Sequence, residues 1–392
     1  NGRSDGPLSA EGEVQLDALA ARLADHRFSK VFSSPLERAR LTAGSFSDEV
    51  EIEDDLVEID LGEWDGLTTE EVRAGDDRLL REATTKRTVP MGRTGESIEE
   101  AGERVHNAID KLVSDMADGS RIAVVTHGGL LQSVLHQYLP GSGRRVHSFV
   151  GNTAITKIVF YGDHSRLAGF NDSGHLGPRS HQIQAALSDG MPVISLIRHG
   201  QTKANVERRW QGQTDWDLDE VGYRQAEALG EFYGKWETVF SSPLQRARNT
   251  ASFVARSTPE IVDGLMELHM GHWEGLTAEE IEEKWPGVLE EIYKKGVDKK
   301  RGEIGESWKE LTTRFSGAVS GLTYADAEPT VVVAHGGAIR SYISSLTATS
   351  DTYAESLFTP TNTSVSHVAL TSDGPLILDY AVAPHLESLD VT

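Results

Sequence analysis

Residues Val193–Asn205 read VISLIRHGQTKAN. The first five, Val193 to Ile197, are mostly β-branched or aliphatic, as expected of a short strand covered on both faces. Arg198, His199 and Gly200 follow at once, which puts a guanidinium and an imidazole at the strand's carboxyl end. Similar short runs are VFSS (Val31–Ser34 and again Val239–Ser242), IAVV (Ile122–Val125) and TVVVA (Thr330–Ala334). Between them, Ile98, Ala101, Val105, Ile109, Leu112 and Met116 recur at helical spacing, as do Trp308, Leu311, Phe315, Val319 and Leu322. Strands alternating with amphipathic helices predict an α/β fold, with a mostly parallel sheet between helical layers. Ligands in such sheets lie beyond the carboxyl ends of the strands, so the segments after these runs converge on one crevice.

The chain repeats itself. KVFSSPLERARLTA (Lys30–Ala43) answers TVFSSPLQRARNTA (Thr238–Ala251), and VEIDLGEWDGLTTEEV (Val57–Val72) answers MELHMGHWEGLTAEEI (Met266–Ile281). AVVTHGGLLQS (Ala123–Ser133) answers VVVAHGGAIRS (Val331–Ser341), and GNTAIT near Asn152 answers TNTSVS near Asn362. Order is kept, and the unit is far longer than a solenoid repeat, so this is a tandem duplication of a whole α/β/α domain. The expected domains are residues 1–180 and 190–392, joined through the polar stretch Asn171–Pro192.

Composition narrows the function. At 392 residues, 38% hydrophobic and 25% charged, the chain has the make-up of two soluble globular domains. No apolar run reaches the ~18 residues of a membrane span, and no basic-then-apolar leader opens it, so a cytoplasmic protein without membrane partners is expected. It has no cysteine, which removes disulfide and thiolate chemistry. A net charge of −23 opposes nucleic-acid binding, which depends on surplus lysine and arginine. Any anion site must be a local positive pocket.

The second copy supplies such a pocket. Arg198 and His199 follow one strand, Arg246 lies in the helix after another, and His335 follows a third. Two guanidiniums and two imidazoles suit a tetrahedral oxyanion, because arginine forks match phosphate oxygens. Helices starting near Pro243 and Gly337 would add amides and the positive ends of their dipoles.

Taken together, Arg-His-Gly at a strand end, Ser-Pro-Leu-x-Arg-Ala, a glutamate four residues before Gly-x-Trp-Glu-Gly, and His-Gly-Gly resemble the histidine phosphatase superfamily, the phosphoglycerate-mutase-like proteins. The resemblance spans about Val193–Asn362 and, in the first copy, residue 1 to about Leu176. It implies that His199 is the nucleophile and forms a phosphohistidine, with Arg198, Arg246 and His335 holding the phosphoryl group. Glu267 matches the proton donor, and Thr202 and Asn205 match positions that support the phosphate and its loop. The arginines and histidines then stand where other enzymes place magnesium, so neither metal nor cofactor is expected. The substrate would be a small phosphorylated metabolite. A mutase, which rebinds its product, is the alternative; such members generally carry a longer insertion than the 68-residue step from Glu267 to His335. A phospho-ligand-binding scaffold with one inactive half is a further alternative.

In the first copy Arg38, Glu58 and His127 answer Arg246, Glu267 and His335. At a shift of 210 residues the counterpart of His199 would fall twelve residues before Asn1. The retained partners predict a strand with Arg-His-Gly upstream; the alternative is a copy that has lost it. Trp64 and Trp273 read as core, His269 and His272 as turn residues. The basic run KKGVDKKR (Lys294–Arg301) reads as a solvated loop, with a second-anion sensor as the competing role.

Overall fold

The computed structural model describes residues 2–141, 145–162, 164–347, 356–387 and 389. By packing, the chain falls into two compact units, Asn1–Tyr138 with Phe149–Ala154, and Leu139–Ser148 with Ile155–Thr392.

The first unit runs α1 (Ala10–Leu23), β1 (Lys30–Ser33), α2 (Glu37–Gly44), β2 (Glu51–Ile52), α3 (Thr69–Thr85), α4 (Ile98–Ser114), β3 (Ile122–Val125) and α5 (Gly128–Tyr138). Its sheet is parallel in the order β2-β1-β3, with Val31 opposite Ala123 and Phe32 opposite Glu51.

The second unit begins with an antiparallel hairpin, β4 (Ile155–Tyr161) and β5 (His164–Asp172), followed by α6 (His181–Ser188). Next come β6 (Val193–Arg198), α7 (Lys203–Val206), α8 (Glu220–Tyr233), β7 (Val239–Ser241), α9 (Gln245–Val254) and β8 (Glu260–Ile261). The chain ends with α10 (Ala278–Lys284), α11 (Val288–Tyr293), α12 (Trp308–Ser320), β9 (Thr330–Ala334), α13 (Gly336–Ser345), β10 (Val365–Thr371) and β11 (Gly374–Ile377). Its six-stranded sheet has the order β11-β10-β6-β9-β7-β8. Strands β6 to β9 are parallel to one another, and β10 and β11 add an antiparallel edge.

The predicted α/β architecture is therefore present, and the apolar run Val193–Ile197 lies in strand β6 near the sheet's centre. It is buried over Val193–Ile197, and β9 is buried throughout, as strands covered on both faces must be. Ile197, Val331 and Val333 pack with Leu229 of α8 and Ala247, Ala251 and Val254 of α9 to form one core layer. The helices start where local chemistry dictates. Ser97 with Glu100 caps α4, and Ser307 with Glu310 caps α12, each a reciprocal capping box.

The copies differ at one edge. Strand β9 is paired by β6 on one side and β7 on the other, whereas β3, among the described residues, pairs with β1 alone and is half-buried along its length. Strand β10 is paired by β6 and β11, whereas its counterpart β4, among the described residues, pairs with β5 alone. The hairpin packs with the second unit: the Phe170 N–H donates to the Tyr380 carbonyl (2.9 Å) and the Tyr380 N–H to the Phe170 carbonyl (3.1 Å). No helix among the described residues is long and apolar enough to cross a membrane.

Candidate active site

Strand β6 delivers Arg198 and His199 to its carboxyl end, where neighbouring strands and helices close around them. The His199 N–H donates to the Ala334 carbonyl of β9 (3.0 Å), and Asn362 Nδ2 donates to the His199 carbonyl (2.9 Å). His199 is 3% exposed. Its Nδ1 lies 2.7 Å from the Gly200 carbonyl oxygen. A carbonyl can only accept, so Nδ1 carries the proton, and in the neutral ring Nε2 keeps its lone pair. The ring is neutral because burial, then Arg246 and Arg198, push its pKa well below the usual value. Arg246 Nε donates to that Nε2 (3.2 Å).

Arg246 lies in the first turn of α9 and is fully buried. Its Nη1 and Nη2 donate to the Thr214 and Gly212 carbonyls (2.9 and 2.8 Å). Arg198 Nη1 donates to the Pro360 carbonyl (2.6 Å), while its Nε is buried without a partner. Burial brings both guanidiniums down to about 10, still charged at neutral pH. His335 precedes α13, with its ring centroid 5.2 Å from that of His199. Its Nε2 meets Ser242 Oγ (2.8 Å) and its Nδ1 is buried without a partner. Burial, then Arg246, depresses its pKa far below 6.5. Two arginines, two neutral imidazoles and the unpartnered Arg198 Nε and His335 Nδ1 lie together in the buried interior, a donor set whose chemistry suits a tetrahedral oxyanion.

Glu267 is held through both carboxylate oxygens. One oxygen accepts from the Leu268 N–H (2.8 Å), and the other from the Gly337 N–H (2.9 Å) at the start of α13. A Cβ on Gly337 would lie 2.6 Å from the carboxylate, so the second glycine of His-Gly-Gly makes room for it. Thr202 and Asn205 lie in the segment that follows His199. The Thr202 N–H and hydroxyl donate to Asn205 Oδ1 (3.1 Å each), in the box that caps α7, and Asn362 Nδ2 joins them at 3.3 Å.

Sequence reasoning passed over the residues that hold this arrangement. Arg314 of α12 grips Glu306 with Nε and Nη2 (2.7 Å each) and donates to the Gly264, Met266 and Glu267 carbonyls (2.9, 3.0 and 3.1 Å). Gln213 Nε2 also donates to the Glu267 carbonyl (3.0 Å). Thr250 Oγ1 accepts from the Gly200 N–H (2.9 Å). One signal was available: both copies place an arginine eight residues after the glutamate of Gly-Glu-Ser.

The first unit gathers the matching set. Arg38 donates to the Gly2 and Ser4 carbonyls (2.8 and 3.0 Å), and His127 Nε2 meets Ser34 Oγ (2.7 Å). Glu58 accepts from the Gly129 and Leu130 N–H groups (3.1 and 2.9 Å). Burial, then Arg38, lowers His127 to about 4. Arg104 grips Glu96 as Arg314 grips Glu306 (2.8 Å for each contact). Trp64 and Trp273 are buried. The basic run is largely neutralised, with Lys295 on Glu290, Lys299 on Glu291, Lys300 on Glu310 and Arg301 on Asp298.

The sequence model of the histidine phosphatase superfamily, branch 1, matches residues 1–173 and again 194–383. The chain belongs to that superfamily. The histidine phosphatase is 35% identical over 204 residues to a metal-independent phosphoserine phosphatase of Arabidopsis thaliana, covering 50% of this chain and 84% of the relative. It is 35% identical over 167 residues to a glucosyl-3-phosphoglycerate phosphatase of Mycobacterium tuberculosis, covering 39% and 74%. A mycobacterial glucosyl-3-phosphoglycerate phosphatase of known structure matches at 26% identity, covering 49% of this chain and 99% of that one, with a TM-score of 0.44. Relatives named as phosphatases, together with the family, make this chain a phosphatase of the histidine phosphatase type.

Proposed function

We propose that the second copy hydrolyses small phosphomonoesters through a phosphohistidine on His199 Nε2. The observation that carries this is the tautomer: Nδ1 is spent on the Gly200 carbonyl, and Nε2 faces the arginine that would hold the phosphoryl group. The Nε2 lone pair attacks phosphorus in line, and the ester P–O bond breaks. Its electron pair stays on the leaving oxygen, which takes a proton from Glu267. Water then attacks phosphorus and gives a proton back to Glu267. The N–P bond breaks toward Nε2 and inorganic phosphate leaves. Arg198 and Arg246 neutralise the equatorial oxygens and His335 hydrogen-bonds them in both steps, and the reaction is read as metal-independent, as the Arabidopsis relative is named. Thr202 and Asn205 keep the loop that carries His199. Phosphoserine and phosphoglycerate-type esters, the compounds in the relatives' names, come first in a substrate panel.

The test is a quench experiment with ³²P-labelled ester. Label should remain on the protein through alkali and be lost in acid, as a phosphohistidine requires, and His199→Ala should abolish both label and second-copy turnover. Hydrolysis should continue in excess chelator. A chelator-sensitive activity restored by magnesium, or labelling that survives His199→Ala in the second copy, would refute the reading.

A further inference from the structure

Within the second unit, the hairpin of the first copy reaches the strap that holds Arg198. Leu167 of β5 donates its N–H to the Ser356 carbonyl (2.9 Å) and accepts from the Phe358 N–H (2.9 Å), a parallel bridge between Leu167 and Leu357. Both leucine side chains are buried, at 0% and 1% exposure. The Phe358 ring lies edge-on to Tyr161 of β4 (6.4 Å between centroids), with the Arg166 guanidinium 5.9 Å from its centre. Tyr380, itself bonded to Phe170, donates its hydroxyl to the Phe358 carbonyl (2.6 Å).

The other end of the strap meets the chemistry. Two residues after Phe358, the Pro360 carbonyl accepts from Arg198 Nη1 (2.6 Å), and Asn362 holds the His199 carbonyl (2.9 Å). Among the described residues, the Pro360 contact is the one side-chain hydrogen bond that Arg198 makes, so the direction of its guanidinium depends on where Pro360 is held. We propose that Leu167 and Phe358 are positioning residues for Arg198: the hairpin of one copy fixes the strap that aims the phosphate clamp of the other. The inference rests on Arg198 being part of that clamp. It gives the tandem arrangement a role in the second site beyond adding length.

The experiment uses the full chain with Leu167→Ala and Phe358→Ala, and reads competitive inhibition by inorganic phosphate alongside kcat, KM and Tm. A displaced Arg198 should raise the phosphate Ki and the KM by a factor within roughly 2- to 150-fold, the range of couplings between residues that share one network. Phe358→Tyr should restore both. Ile183→Ala, which truncates the core at the far end of β6 beside Val193, should lower Tm and leave Ki unchanged. In an Arg198→Lys background, Leu167→Ala should add nothing further to Ki. If Arg198→Lys weakens phosphate binding but the Leu167 and Phe358 variants change only Tm, the hairpin is structural and the proposal falls. If Arg198→Lys leaves phosphate binding unchanged, the clamp reading fails first and the proposal with it.

Discussion

His199 commits one ring nitrogen to its neighbour's carbonyl, and that bond determines what the other can do. With Nδ1 protonated and burial holding the ring neutral, Nε2 keeps a lone pair that the proposed attack on phosphorus can use without help from a base. Because its pKa lies well below 6.5, an acid limb in kcat/KM set by His199 should fall below that of a free imidazole. The proton on the other side of the reaction is assigned to Glu267, whose contribution must scale with how basic the leaving oxygen is. Glu267→Gln keeps the shape and removes the acid, so an alkyl phosphate should lose ~10²–10⁴-fold in kcat while p-nitrophenyl phosphate loses far less. Equal losses on the two esters would show that Glu267 orients the phosphate and that the donor is another group. Gly337→Ala should reproduce part of the same selective loss, since its methyl would collide with the carboxylate 2.6 Å away.

At the scale of elements, α12 does two jobs. Its apolar face packs through Trp308, Leu311, Phe315 and Val319, while Arg314 reaches three carbonyls that shape the Glu267 turn. Arg314→Met should therefore lower kcat on alkyl phosphates about as Glu267→Gln does, with a smaller change in KM. It should also cost roughly 1–3 kcal/mol in urea unfolding, because Glu306 and three carbonyls lose their donor. A variant that is destabilised but keeps full kcat would leave Arg314 a structural residue only. The helix and its apolar face were legible in sequence, as were the β6 and β9 runs and the gathering of Arg198, His199, Arg246 and His335 at the strand ends, because periodicity and strand-end motifs depend on neighbours in the chain. Arg314 was not, since the three carbonyls it holds lie some fifty residues upstream and only the fold brings them together. The hairpin escaped for a similar reason: Leu167 meets Leu357 across nearly two hundred residues, and no local pattern marks either residue as part of the site.

The whole molecule carries several imidazoles that are neutral when folded and ordinary when unfolded. Burial lowers His127 and His385 to about 4, in the first and second units respectively, and takes His199 and His335 well below 6.5. Between pH 6.5 and 4 the unfolded chain therefore binds protons that the folded chain refuses, and stability must fall as pH falls through that window. Two carboxylates add to the effect at lower pH. Burial opposes it, but the arginine forks hold Glu96 and Glu306 below their usual range, and that stability is lost as they protonate. Asp379, raised by burial beside His367, has the opposite sign and is outnumbered. Each histidine held near 4 is worth about 3 kcal/mol across the window, as an upper figure. Tm should be level from pH 8 to 7 and drop steadily from 6.5 to 4, and saturating inorganic phosphate should raise it by binding the folded site. His385→Asn removes one of these groups, whose Nε2 meets Thr363 Oγ1 (3.0 Å), so its Tm should start lower at pH 7.5 and decline less steeply with acid than that of the native chain. A native Tm that stays flat down to pH 4.5 would mean that these imidazoles accept protons in the folded state, and the neutral nucleophile assigned to His199 would lose its basis.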